Sequence, residues 1–367
     1  MDVFLLQLLN GLDKGGAYAL IALGLTLVFG TLGVVNFAHG VLFMLGAFCA
    51  VAFNKILHLG VEVPSKDTGF GFTPPPEVVP YVNLWFGKDI GQHIISYSVP
   101  LSILLVIPVM LLVGVAVERG LIRHFYKRTH ADQILVTFGL AIVLQEIVKH
   151  YFGANPIPQG APDIVSGSAN IGAWFGISDA LVYPWWRLIY FLFSAFVIGV
   201  VFAFLQFTTY GMVVRAGMND RETVGILGID IERRFTIVFG IAAVVAGLAG
   251  AMYTPILPPD YRMGMDFLVL SFVVVVVGGM GSLPGAVFAG FLLGIMQSFT
   301  GVASYAILIY PNASADEKAG AIYKLLDFVD TWIFFPGIDQ IVIYLIAVVI
   351  LLTLPRGLMG RAGVMED

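Results

Sequence analysis

Long apolar stretches constrain the fold of this chain more than any other feature of its sequence. About eight or nine of them follow one another, and roughly 20 apolar residues cross a bilayer as an α-helix. Hydrophobic residues make up 59% of the 367 residues and charged residues only 12%. Backbone polar groups in lipid must be hydrogen-bonded internally, which favours helices. The sequence therefore predicts an all-α polytopic membrane protein, with one transmembrane domain over 1–367.

Hydropathy gives the approximate bounds of the spans. The segment up to Leu12 is either an interfacial amphipathic helix or the start of the first span. The first two spans, and the pair after residue 265, are separated by only a few residues, so each of these is a candidate for a short, broken or re-entrant segment. The predicted spans are 15–33, 38–57, 99–118, 133–152, 187–206, 235–254, 266–281, 283–303 and 339–354.

The distribution of basic residues predicts the orientation of the spans. Nine of the eleven arginines lie in the segments 118–132 and 206–236 and in the tail after 354, whereas the other loops carry mainly Asp and Glu. Cytoplasmic loops are enriched in Lys and Arg, so these three segments are assigned to the cytoplasm. Counting back through the spans places the N-terminus outside; one re-entrant segment would reverse that assignment.

Two of the predicted external loops are long. Residues 58–98 form an external insertion whose prolines and glycines favour ordered turns. Residues 304–338 include apolar positions at helical spacing over 321–333, which predicts an interfacial helix anchored by Trp332. This helix is either a docking surface for an external protein or a lid that shields the spans.

The polar segment 206–236 differs from everything around it. It combines charge, small residues and glycines in a pattern that predicts a short helix followed by a turn. Arginines offer forked donors to carboxylates of a partner, and Asn219 or Asp220 are candidates for capping the next turn. The segment is interpreted as a coupling loop moved by a soluble partner; the alternative is an ordinary solvated loop. The candidate coupling residues are Arg215, Ala216, Gly217, Asn219, Asp220, Arg221, Glu222 and Gly228.

Two glycine-rich interruptions of apolar stretches resemble each other, one at 28–40 and one at 277–285. Paired broken segments are typical of transporters with internal repeats, where irregular backbone lines a cavity. The alternative is two tight turns at the membrane edge. At the first break the His39 side chain is expected to bond freed backbone groups, with a pathway role as the alternative. Candidate pathway residues at these breaks are Asn36, His39, Gly40, Gly278, Gly279, Gly281 and Ser282.

Glu146 is interpreted as the ionisable residue inside a span, beside Gln145, and both are further pathway candidates. Lys149 lies three residues on and is expected to form an interfacial ion pair with Glu146, which is the alternative to a pathway role. A pathway with so little charge suits a small neutral or zwitterionic solute with an apolar side chain, and not an ion.

The sequence lacks the motifs that are typical of several other classes of protein. There is no GxxxxGK[ST] loop for nucleotide hydrolysis, no HExxH and no basic excess for nucleic acid. The single cysteine, Cys49, excludes an internal disulfide. No catalytic residue, metal or cofactor is predicted. The rival interpretations are a secondary transporter or channel acting alone, which would need an ion-coupling acid, and a membrane-embedded enzyme.

Ordered motifs across most of the chain resemble the permeases of branched-chain amino acid ABC transporters. They are GGAYALIALGLTLVFG at 15–30, NFAHG at 36–40, RAGMND at 215–220, GID at 228–230, FVVVVVGGMGSLPG at 272–285 and PRGLMG at 355–360.

This resemblance implies one of two different permease subunits in an importer of the bacterial inner membrane. It also implies two cytoplasmic ATP-binding subunits that contact 215–228, a periplasmic solute-binding protein and a small amino acid as substrate. The family also includes permeases for urea, short amides and other amino acids. The loops 58–98 and 304–338 are longer than the family pattern.

Overall fold

The protein is almost entirely helical in the computed structural model. The structure describes residues 2–34, 36–64, 76–126, 128–174, 176, 181–219, 224, 226, 228–302, 305–310, 320–332 and 337–360. Within these ranges seven helices are long and apolar enough to cross a membrane, and two shorter apolar helices accompany them. The prediction of an all-α polytopic membrane protein is therefore confirmed.

The helices follow one another with short connections on one side and longer ones on the other. In chain order they are α1 Asp2–Leu32, α2 His39–Leu57, α3 Tyr81–Phe86, α4 Lys88–Ser96, α5 Ser98–Gly120, α6 His130–Phe152, α7 Ile171–Trp174, α8 Trp185–Phe207, α9 Thr209–Asn219, α10 Ile231–Tyr253, α11 Met263–Gly278, α12 Leu283–Thr300, α13 Tyr305–Ile309, α14 Ala321–Trp332 and α15 Ile338–Thr353. Two antiparallel hairpins, β1 Gly60–Val63 with β2 Glu77–Pro80 and β3 Ser168–Asn170 with β4 Val182–Pro184, lie in the loops.

Helix α1 is continuous over 31 residues, so the segment up to Leu12 is the start of the first membrane helix. At 1.5 Å per residue it is about 46 Å long, more than the roughly 30 Å hydrocarbon core. Helices α11 and α15 have 16 residues each, about 24 Å, and are shorter than that core. The expectation of short segments is thus met by α11 in the closely spaced pair.

Small residues let the central helices approach closely, as in many membrane bundles. Helix α1 runs antiparallel to α12: a Cβ at Gly11 would lie 2.6 Å from the Ile295 Cα, and one at Gly290 would lie 2.8 Å from the Ala19 Cα. Helix α2 packs on α10 in the same way, at Gly46. As a result α1 and α10 are mostly buried, whereas α5, α6 and α8 expose much of their surface.

Both long loops contain secondary structure. The 58–98 loop holds the first hairpin with α3 and α4, and 304–338 holds α13 and α14. The helix predicted over 321–333 is present as α14, with Ile322, Leu325 and Phe328 exposed along one face. The Trp332 side chain, predicted to be its anchor, lies outside the described residues.

One prediction about charged residues is wrong. Glu146 is not the only ionisable side chain within a membrane helix, because Asp13 in α1 and Glu118 in α5 are 1% and 0% exposed. The predicted first span began at residue 15 and the third ended at 118, so both residues were counted as span edges. Each is instead enclosed because its helix continues past it and an arginine pairs with it.

Candidate functional site

The first break, between α1 and α2, is organised by Asn36. Its Oδ1 accepts a hydrogen bond from the Ala38 N–H (3.0 Å), and its carbonyl accepts one from the His39 N–H (3.3 Å). The Phe37 N–H donates to Thr137 Oγ1 of α6 at 3.0 Å. The side chains of Asn36 and Thr137 therefore bond backbone groups that are freed at this break.

His39 lies in the protein core. Its side chain is fully buried between α1 and α10, and a Cβ at Gly24 would lie 2.5 Å from its Nε2. Within the described part of the chain neither ring nitrogen has a hydrogen bond of regular geometry, although the Ile21 backbone interacts with the ring. Gly40 is equally tight, because a Cβ there would lie 2.5 Å from the Leu268 Cβ of α11. The first break thus places a polar side chain among packed helices.

The second break, between α11 and α12, is covered by the tail that follows α15. The Leu358 N–H donates to the Val277 carbonyl (2.8 Å) and the Met359 N–H to the Gly278 carbonyl (3.0 Å). These bonds satisfy carbonyls that the end of a helix leaves free. Ser282 begins α12, with its Oγ accepting from the Gly285 N–H at 3.2 Å.

The tail packs directly against the backbone of Gly279, where a side chain would not fit. Its φ is +101°, and a Cβ there would lie 2.6 Å from the Gly360 Cα. Gly281, two residues later, also has a positive φ of +82°, but a Cβ added there would meet no described atom within 4 Å. An alanine at either glycine would strain the backbone, but only an alanine at Gly279 would also clash with the tail.

We expect Gly279→Ala to release the tail, because strain of about 1–2 kcal/mol is combined with a clash against backbone. Trypsin cleavage after Arg356 in inside-out vesicles should accelerate about tenfold or more, the equivalent of about 1.4 kcal/mol. Gly281→Ala carries similar strain without the clash and is the control. Equal cleavage rates in the two variants would contradict the role assigned to Gly279.

The structure places the two breaks at different depths. Phe37 packs against Phe272 of α11, with ring centroids 5.6 Å apart. Helix α11 continues six residues beyond that point, about 9 Å, before the second break begins. The candidate pathway residues therefore form two separate groups.

Gln145 and Glu146 belong to neither group. They lie eight or nine residues beyond Thr137 on α6, about 12 Å further along the helix axis. The predicted ion pair is present, with Lys149 Nζ 3.2 Å from Glu146 Oε2, and both side chains are substantially exposed. Gln145 is half-buried, and its Oε1 has no hydrogen bond within the described residues.

The predicted short helix of the polar segment is present as α9. Arg215 on it donates from Nη1 to the Leu205 carbonyl and to Gln206 Oε1 (3.2 Å), so it joins α9 to the end of α8. Gly217 is buried, with 3.7 Å between a Cβ position there and the Phe235 ring of α10. Ala216 is exposed. Gly228 has a φ of +77°, as a tight turn requires.

Part of the predicted coupling surface lies outside the described residues. Asp220, Arg221 and Glu222 are in this group, as is the side chain of Asn219, whose backbone ends α9. Of the described residues around them, Met212 and Ile226 are 61% and 83% exposed.

An ion pair that the sequence did not reveal links α1 to α8. Arg187 Nη1 donates to Asp13 Oδ2 (3.1 Å) and to Asn10 Oδ1 (3.1 Å), and the Tyr183 hydroxyl donates to the same Asp13 oxygen (3.1 Å). Burial raises the pKa of Tyr183 above its usual value, so the hydroxyl keeps its proton. In the sequence Asp13 is followed directly by Lys14, and nothing there indicated a partner as distant as Arg187.

A second such network joins α5 to α10. Glu118 Oε1 accepts from the Tyr126 hydroxyl (2.7 Å) and from Arg123 Nε (3.3 Å), and Arg123 Nη2 donates to Thr236 Oγ1 (2.8 Å). Among the residues that the structure describes, no group of three or more His, Cys, Asp or Glu side chains is placed to hold a metal ion.

Comparison with known proteins identifies the family to which this chain belongs. Residues 7–351 match the model of the branched-chain amino acid transport system permease component. The chain belongs to this permease family. That match includes both breaks, the polar segment 206–236 and all the membrane helices except the first residues of α1 and the last residues of α15.

Named transport permeases are similar to this chain over most of their lengths. The high-affinity branched-chain amino acid transport permease BraD of Pseudomonas aeruginosa is 28% identical, over 81% of this chain and 86% of its own. LivH of Escherichia coli is 25% identical over 83% and 92%. The ribose import permease RbsC of E. coli is 22% identical over 82% and 80%. No solved structure matches this chain.

This permease is accordingly a transport component and a multi-pass membrane protein, with the fold and family expected from its sequence.

Proposed function

We propose that this permease carries a branched-chain or other hydrophobic amino acid across the bacterial inner membrane as one subunit of an ATP-driven importer. The family match over residues 7–351 carries the proposal, since the relatives named for amino acid transport align with most of the chain. The proposed partners are a second, homologous permease, two cytoplasmic ATP-binding subunits and a periplasmic solute-binding protein.

The chemistry of the first break supports an uncharged or zwitterionic solute. His39, Asn36 and Thr26 place buried polar side chains in an otherwise apolar core, and none of the three carries the fixed charge that an ion would need. The likeness to ribose permeases makes a sugar the second candidate. The amino acid is favoured because BraD is 28% identical to this chain, against 22% for the ribose permease of E. coli.

The contacts of α9, in the polar segment 206–236, support the proposal that separate subunits supply the energy for transport. Helix α9 is tied to α8 through Arg215 and rests on α10 at Gly217, so a force on α9 reaches two membrane helices at once. The exposed Met212 and Ile226 offer apolar contacts to a soluble partner. Closure of the ATP-binding subunits would then tilt α8 and α10, opening the pathway alternately to each side.

The decisive test is uptake by the reconstituted assembly. Proteoliposomes that contain this permease, its partner permease, the ATP-binding subunits and the binding protein should accumulate L-leucine only when ATP is supplied on the cytoplasmic side. Steady leucine uptake by this chain alone, without nucleotide, would support the rival secondary transporter or channel. ATP-dependent uptake of ribose and not leucine would support the second candidate.

The role of α9 is tested by Gly217→Trp. The indole cannot fit the 3.7 Å space against Phe235, so α9 should shift from α10 and uptake should fall by at least about tenfold, the effect of about 1.4 kcal/mol. Gly217→Ala fits that space and is the matched control. Asp220→Lys, outside the described residues, should also abolish uptake. Membrane insertion should be normal in all three variants; normal uptake in Gly217→Trp and Asp220→Lys would refute the coupling role.

A further inference from the structure

A cavity of about 370 Å³ opens beside the first turn of α8. It lies among the segment after α6, the start of α8 and the turn after α10, which are the ends predicted to face the outside. Its walls are largely apolar, and one charged side chain, Arg187, reaches it. Lining residues include Ala161, Val165, Ser166, Trp186, Arg187 and Ile256.

Arg187 is held in a fixed orientation at the cavity wall. Both of its hydrogen bonds to Asn10 and Asp13 come from Nη1, and its side chain is 32% exposed. A guanidinium has five N–H donors, so the Nη2 and Nε donors are not used by these bonds. Asp13, 1% exposed, therefore orients the guanidinium through Nη1, and the Tyr183 hydroxyl also interacts with Arg187.

The apolar walls of the cavity indicate that a ligand there also has an apolar part. Ala161, Val165 and Ile256 are aliphatic, and the Trp186 indole is fixed by its Nε1 donating to the Met252 carbonyl at 3.0 Å. Pockets of roughly 300–1,000 Å³ with apolar walls and a few polar groups are typical of small-molecule sites. A carboxylate next to a short aliphatic chain matches both parts of this cavity.

We propose that this cavity is an outward-facing binding site for the transported amino acid, with its carboxylate on the Arg187 guanidinium and its aliphatic side chain against Val165 and Ile256. Planar guanidinium–carboxylate pairing is bidentate and directional. The site rests on the proposed amino acid transport and adds a step to it: the solute is held at the outer end of α8 before it enters the helix core. A solute without a carboxylate, such as ribose, would lack the main contact.

The experiment measures ligand protection of a cysteine placed in the cavity wall. In a Cys49→Ala background, Ser166→Cys adds one thiol at an exposed lining position, and the assembled transporter in nucleotide-free proteoliposomes is labelled from outside with a membrane-impermeant maleimide. L-Leucine at ten times its dissociation constant should slow labelling about tenfold, since about one site in eleven stays free. Leucinamide, which has no carboxylate, and ribose should give no protection.

Arg187 is then tested by substitution. Arg187→Gln combined with Asp13→Asn keeps the pair neutral and should abolish protection by leucine. Arg262→Gln, which removes an exposed arginine on the same side outside the cavity, is the matched control and should retain it. If the double variant does not assemble, the comparison of leucine with leucinamide in the unaltered arginine background still decides the proposal.

Two results would overturn the site: absence of protection by leucine, or equal protection by leucinamide. ATP-dependent leucine uptake is measured on the same proteoliposomes. Uptake without protection would refute this binding site while leaving the proposed function standing, whereas absence of leucine uptake with intact ribose uptake would refute the proposed function itself.

Discussion

Gly46→Leu should eliminate recovery of folded protein, because α2 and α10 touch through their backbones at this point. A Cβ at Gly46 would lie 2.5 Å from the Gly247 carbonyl carbon and closer still to its oxygen. Neither helix backbone is able to move aside within the packed core. Overpacking typically costs about 1–3 kcal/mol, and a backbone obstacle should bring the cost to the upper end or above it. Stability of native domains is only about 5–15 kcal/mol in total.

The control is the same substitution at Gly139, an exposed position of α6 with no described atom within 4 Å of a Cβ site. Monodisperse protein after detergent extraction and its thermal midpoint are the measurements. Gly139→Leu should match the unmodified protein. Even Gly46→Ala should lower the midpoint, whereas Gly139→Ala should leave it unchanged or raise it, because alanine is the better helix former by about 1 kcal/mol. Similar midpoints for the two alanine variants would contradict the contact.

Arg123→Met should be the most damaging loss of a single charge in the cytoplasmic half. It leaves the Glu118 carboxylate, 0% exposed, without its cationic partner. Removing one member of a buried ion pair costs about 3–5 kcal/mol. It also breaks the bond from Arg123 to Thr236, which ties α5 to the start of α10 beside the coupling segment. Both the thermal midpoint and ATP-dependent uptake should therefore fall.

Arg119→Met removes the same charge from an exposed position of α5 and is the matched control, expected to change neither measurement. The double variant Arg123→Met with Glu118→Gln should regain much of the lost stability, since the buried charge is gone. If the double variant is no more stable than Arg123→Met alone, the uncompensated carboxylate is not the cause.

Hydropathy predicted the membrane helices closely because each is an independent apolar run. The predicted spans 133–152 and 187–206 compare with His130–Phe152 and Trp185–Phe207. The helix over 321–332 and the short helix at Arg215 followed from local spacing in the same way. Asn36 was correctly predicted to lie at a break in the helix. An amide side chain within an apolar run is expected to bond backbone groups that the helix leaves free.

The contacts that sequence reasoning missed are all long-range. Asp13 meets an arginine 174 positions away, and Val277 accepts its bond from Leu358. Hydropathy does not predict which residues pair across the fold. The predicted span bounds therefore left Asp13 and Glu118 at the polar ends of spans, since their arginine partners were unknown. Cavities have the same limitation: the one beside Arg187 is assembled from three separate parts of the chain.

The antiparallel contact of α1 with α12 has a consequence for biosynthesis. The ribosome makes α1 first, yet the helix that packs along Gly11 and Gly290 follows some 270 residues later. At about 5–20 residues per second, that delay is roughly 15–60 s. Throughout it, the glycine face of α1 lacks α12, whereas Asp13 gains its partner Arg187 after 174 residues. A chain terminated before residue 283 would therefore contain a first helix whose close-packing face has no partner.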